Sequence, residues 1–189
     1  DYYDPKSGNN LWAGFYYGST KHDIISITSY DEQLKQLTTY ANVNHNDNWS
    51  AYLSLGKSKK EKDYHWRVQL ETNASTGRNH AFINTQAYTS HSYSVMARPM
   101  ITYGYKDLFE INPSFRFNYQ FNRYDIQALD NRKNTMYEAG FSGSLYWPSR
   151  LSWTTDLNYT HNSDVVPGFP KGYWLWNASV GYDFMKDKR

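Results

Sequence analysis

Cysteine is absent from all 189 residues. That excludes disulfides, thiolate metal sites and a cysteine nucleophile together. No run approaches about 18 consecutive apolar residues, so a transmembrane helix is excluded as well. An excess of one charge sign is also missing: 20 Lys and Arg stand against 18 Asp and Glu, for a net charge of +2. Such a balance gives no electrostatic footing for nucleic acid. The opening Asp1-Tyr2-Tyr3-Asp4-Pro5 has neither the basic start nor the apolar stretch of a signal peptide, so the chain reads as mature or as a fragment. Aliphatic side chains are scarce too. Hydrophobic residues make up 39%, and that figure already includes 19 Tyr. Aromatics, at 19%, are far too many for a disordered segment. Little aliphatic core material beside so many rings argues against an ordinary soluble α/β enzyme.

What the sequence does have is alternation. From Phe109 to Asn122 one face reads Phe109, Ile111, Pro113, Phe115, Phe117, Tyr119, Phe121. The other reads Glu110, Asn112, Ser114, Arg116, Asn118, Gln120, Asn122. Period two is the mark of a strand with one apolar and one polar face, and Pro113 is a local cost within it. The pattern recurs at Trp49–Leu55, Tyr64–Ala74, Tyr93–Tyr103, Tyr137–Trp147, Leu151–Tyr159 and Trp174–Phe184, and more loosely at Leu11–Tyr17. The sequence therefore predicts an all-β protein with about eight strands of roughly 10–14 residues. Soluble strands usually run about 5–6, whereas strands that cross an outer membrane need about 9–11.

The connections alternate in length. Lys57–Lys62, Lys106-Asp107 and Pro148–Arg150 read as short polar turns. Residues 23–47, 75–91, 123–134 and 162–173 read as long links. Short turns at one rim and long loops at the other are the plan of an antiparallel transmembrane β-barrel in the bacterial outer membrane, its turns facing the periplasm. The nature of the two faces points the same way. Polar positions are mostly Asn, Ser, Gln and Gly with isolated charges, which suits a crowded wet lumen, while Lys collects in the turns. Trp12, Tyr105, Trp147, Trp153, Trp174 and Trp176 are read as aromatics on the apolar face near strand ends, where headgroups lie. A soluble β-sandwich with an aromatic core is the competing fold, and solubility without detergent would favour it.

One barrel of this size is not expected to be complete. Met185–Arg189 reads as another short turn and Asp1–Asn10 as a link arriving from an earlier strand. Inward positions such as Ser142, Ser144, Ser179 and Gly181 fill little of a narrow lumen. The 189 residues are thus expected to form a single outer-membrane barrel segment, without a soluble domain and within a larger barrel.

The alternation aims His65, Arg67, Glu71, Arg98, Glu110, Arg116, Glu138, Asp156 and Asp183 inward. They read either as a salt-bridged filling or as a polar path. Val165–Tyr173 reads as an outer loop whose Pro167, Phe169 and Tyr173 contact a ligand or a partner. The histidines, His22, His45, His65, His80, His91 and His161, show no metal-ligand spacing, so neither a metal nor another cofactor is expected. His45, His80, His91 and His161 fall in or beside the expected outer loops. Catalysis is not expected either. Ser90-His91-Ser92 and Asp156 with His161 would make a triad only through an unforeseen contact, and no Gly-x-Ser-x-Gly occurs.

Lys106–Ser114, Val166–Phe169 followed by Trp174–Phe184, and Thr39–Asn44 before a strand resemble the barrel region of the Bacteroidota outer-membrane β-barrel family allied to TonB-dependent receptors. Proteins of that family are much longer and hold a plug inside a large barrel. No position here matches their energy-coupling residues. The resemblance implies a segment of the wall of a transport pore. It also implies partners: outer-membrane lipid, the remaining strands and plug of the same or another chain, and a surface lipoprotein lid or envelope complex. The inward charges then become a surface for plug contact. A scaffolding barrel subunit without transport is the alternative.

Overall fold

A computed structural model describes residues 2–83, 86–148 and 150–184. Among these residues every regular element is a strand. They are β1 (Tyr2–Asp4), β2 (Asn9–Thr20), β3 (Asp23–Tyr30), β4 (Gln36–Val43), β5 (Asn46–Lys60), β6 (Tyr64–Ile83), β7 (Gln86–Tyr105), β8 (Phe109–Tyr124), β9 (Arg132–Leu145), β10 (Leu151–Asn162) and β11 (Gly172–Tyr182). Nine form one antiparallel sheet in the order β1-β2-β5-β6-β7-β8-β9-β10-β11. The strands β3 and β4 pair only with each other, and β3 packs against β6. The all-β, antiparallel, long-strand reading is what the protein adopts. The sheet is open, with β1 at one edge and β11 at the other, and β2 does not pair with β11.

Several expected boundaries move. The long link at 23–47 is mostly the β3–β4 hairpin, because Ile24–Ser29 and Leu37–Val43 carry enough β-branched and aromatic residues to pair. The expected loop at 75–91 is mostly strand: β6 and β7 stay in register from Tyr64↔Tyr105 to Ile83↔Gln86. Alternation fades there, yet the partner strand still supplies a ladder. The turn expected at Lys57–Lys62 is shorter, since β5 runs to Lys60. Tyr2–Asp4, read as part of a link, pairs with Asn9–Leu11 through a turn at Gly8. Gly8 has φ +68, and a Cβ there would collide with the Ser58 carbonyl. Met185–Arg189 lies outside the described residues.

The sheet has almost no core. The only buried hydrophobic residues among those described are Val43 and Ile126, and no large side chain is fully buried. Accessible surface is 14304 Å², whereas a compact monomer of this mass would expose about 9,400 Å². The buried residues of the nine-stranded sheet, Ser54, Gly77 and Gly104, all sit on the polar face. Phe15 (68% exposed), Val95, Ile101, Trp174 and Trp176 (70%) sit on the other. Crowding on the polar side and exposure on the apolar side are what a sheet curved toward its polar face produces.

The register is also staggered. A row at right angles to the strands starts at Asn9, the first residue of β2, and passes through Lys57, Val68 and Ile101. It continues through Phe141 and Leu157 to Trp176, well inside β11, which ends at Tyr182. Six residues of drift over seven strand steps correspond to a tilt of about 30°, at ~3.3 Å per residue and ~4.8 Å per strand.

Candidate functional site: the polar face

Directly opposed residues share a face, so the ladders decide which side each residue of interest occupies. His65, Arg67, Glu71, Arg98, Glu110, Arg116, Glu138 and Asp156 all lie on the polar face. Asp183 does not belong to a strand. It follows β11, exposed, and its N–H donates to the Arg150 carbonyl at 2.8 Å.

Three charge relations organise this face. Glu71 lies opposite Arg98 and Arg116 opposite Glu138, with Nη1–Oε2 distances of 3.7 and 3.6 Å. The register on either side sets Arg98 against Arg116, giving a row of signs minus, plus, plus, minus across four strands. The two arginines occupy opposed positions where the β7–β8 ladder is interrupted. Pro99 and Pro113 lack N–H donors, and the ladders to β6 and β9 run unbroken through both. Their missing donors therefore fall in this one seam. Nearer the short-turn rim, His65 Nε2 lies 3.1 Å from Glu110 Oε2, and Asn112 Nδ2 donates to the other carboxylate oxygen at 3.2 Å. Exposed pairs of this kind add about 0–1 kcal/mol each, so the main effect of the two Arg–Glu pairs is to cancel charge along the face.

Arg67 is different. Ser58 and Thr102 lie directly opposite it on the flanking strands. Among the described residues it has no carboxylate within ion-pair distance. Asp156 lies opposite Ser142 and Asn177 and accepts a hydrogen bond from Asn158.

Some expected placements are corrected. Trp12 belongs to the polar face, because Leu11 pairs with Leu55 and puts Trp12 opposite Ser54; its ring meets Tyr52 edge-on at 4.6 Å. Trp147 lies beyond the end of β9. Tyr173 is inside β11 and opposite Thr160 on the polar face, whereas Pro167 and Phe169 lie in the 163–171 loop. His161 is a strand residue on the apolar face, stacked on Tyr137 at 4.6 Å. His80 and His91 lie in β6 and β7, while His22 and His45 occupy positive-φ positions beside strands. Asp156 and His161, an odd number of residues apart on β10, point to opposite faces, so that pair is not brought together. Sequence reasoning missed the role of Gly104 beside His65 and the Pro99–Pro113 seam. The alternation held the signal for both, but the register was needed to read it.

Among the described residues no group of three or more His, Cys, Asp or Glu is arranged to hold a metal ion. Comparison with protein-family models, curated proteins and solved structures gives no match.

Proposed function

We propose that the chain is a segment of a bacterial outer-membrane β-barrel wall. Its apolar face lies in lipid and its polar face lines a wet lumen. One observation carries this reading: a single-layer sheet of long strands leaves most of its large apolar side chains uncovered on one face. In water such a face would drive association. In a bilayer it is the surface that a barrel needs. The stagger and the curvature toward the polar face support the same reading, since closing a barrel requires both. The open edges support membership of a larger barrel. Among the described residues the outer side of β11 has no strand beside it, and unpaired backbone groups in hydrocarbon cost several kcal/mol each.

Within that reading the chain forms part of the wall of a transport pore of the TonB-dependent-receptor type. Partners are lipid on one face and the remaining strands and a plug on the other surfaces. Single-channel recording on the full-length polypeptide in planar bilayers tests the transport role. Ion conductance, altered by Arg98→Gln on the polar face, is the expected result. A correctly inserted protein that never conducts, with or without its plug, would favour a scaffolding barrel.

A further inference from the structure

We propose that the polar face carries a phosphate-binding site at the short-turn rim, built on Arg67 and Lys60. A cavity of about 490 Å³ opens there, and its lining includes Ser58, Lys60, His65, Arg67, Thr102 and Glu110. The register sets Arg67 between two hydroxyl-bearing residues, Ser58 on β5 and Thr102 on β7. Lys60 stands opposite His65, two positions nearer the rim, or about 7 Å along the strand.

The charge balance of this cavity differs from that of the middle of the face. Glu110, its one carboxylate, is already engaged by His65 and Asn112. Lys59, on the cavity's margin, is held by Glu61 at 2.9 Å. Arg67 and Lys60 have no ion-pair partner among the described residues. Two uncompensated cations thus share a pocket with two hydroxyl donors. In the middle of β7 and β8, by contrast, Arg98 and Arg116 each have a glutamate.

The donor set selects the ligand class. A guanidinium offers a planar fork that takes two oxygens at once, and an ammonium offers a compact point charge. Phosphate presents oxygens in a tetrahedron, so fork, ammonium and hydroxyls can each take a different one. A carboxylate has two coplanar oxygens and would leave part of the set unused. A free phosphate and a phospholipid headgroup share this chemistry. The inference requires only that the polar face be wet, so it stands or falls apart from the membrane reading.

The test is calorimetric titration of the full-length polypeptide, in nonionic detergent at pH 7 and low salt, with inorganic phosphate. Saturable binding is expected. It should weaken about tenfold or more in Arg67→Gln, and less in Arg67→Lys, which keeps the charge and loses the fork. Lys133→Gln, on the far end of the apolar face, should leave it unchanged, and unaltered β-sheet circular dichroism certifies each variant as folded. Competition by micelles containing phosphatidylglycerol assigns the site to a headgroup, and absence of competition assigns it to a free anion; both support a phosphate site. Equal phosphate affinity in wild type and folded Arg67→Gln overturns it. Acetate binding as tightly as phosphate overturns the choice of ligand class.

Discussion

His65 reaches across Gly104 to Glu110, from one strand to the next but one, with Nε2 3.1 Å from Oε2. The intervening residue has to be glycine. A Cβ at Gly104 would fall within the space of the imidazole ring, on a face where the flanking strands already crowd it.

Gly104→Val should therefore force His65 off Glu110 and cost about 1–3 kcal/mol, the usual range for overpacking. Urea unfolding of the reconstituted full-length polypeptide measures it. Gly143→Val is the comparison, since a Cβ there meets nothing nearer than 3.4 Å. Equal costs at the two glycines would contradict the packing described.

Phe117 and Asn118 are neighbours in β8 on opposite faces of the sheet. Phe117→Arg should cost on the order of 2–4 kcal/mol if the side chain lies near mid-bilayer, and Asn118→Arg much less. The same unfolding measurement reads both. A penalty as large for Asn118→Arg would reverse the assignment of faces.

The rim with the long connections is expected outside the cell. Leu34 and Gly168 are the insertion points the structure favours: Leu34 is 83% exposed at a hairpin tip, and nothing lies within 4 Å of a Cβ built at Gly168. Epitope tags at both should be detected on intact cells. Detection only after permeabilisation would invert the orientation. Gly77, which alternation alone places in a loop, is a buried strand residue and a poor site for a tag.

Asp125 clips the 125–131 connection onto β7. The Thr89 N–H donates to its carboxylate at 2.6 Å, and the Asp125 N–H donates to the Thr89 carbonyl at 3.1 Å. That backbone donor is the main reason its carboxyl titrates below the ordinary aspartate range. With the folded value depressed, the clip is fully present above the ordinary pKa of about 3.9 and is lost as pH falls through the lower one. At pH 7, Asp125→Ala should make proteolysis in this connection several-fold faster. Unchanged cleavage would mean that buried Ile126 anchors the segment alone.

Much of this was legible in the residues, and the reason is physical. Phe109–Phe121 alternates without a break because each side chain on a single-layer sheet meets one environment only, so strand and face are written together. Eight titratable residues of the polar face, from His65 to Asp156, were found by that rule, whereas Lys60, read as part of a turn, was not. Trp12 was misplaced because a tryptophan beside Leu11 is apolar on either side, and only the pairing Leu11↔Leu55 decides. His161 escaped for the opposite reason: its polar ring lies on the apolar face by stacking on Tyr137. Residues 75–83 and 86–91 carry Ser, Thr, Asn and His on both faces, so their strand state comes from the partner strand rather than from any pattern of their own.

The central claim is that one face of this sheet meets lipid and the other meets water. Because these 189 residues contain no cysteine, single cysteines can be placed one at a time along β8, from Ile111 to Phe121, in the full-length polypeptide in native membranes, with any cysteine elsewhere in it replaced by serine. Labelling with a membrane-impermeant maleimide after opening the periplasmic side then reads each position. The account predicts labelling at 112, 114, 116, 118 and 120 and protection at 111, 115, 117, 119 and 121. Uniform labelling, or labelling of the aromatic positions with protection of the polar ones, would contradict it.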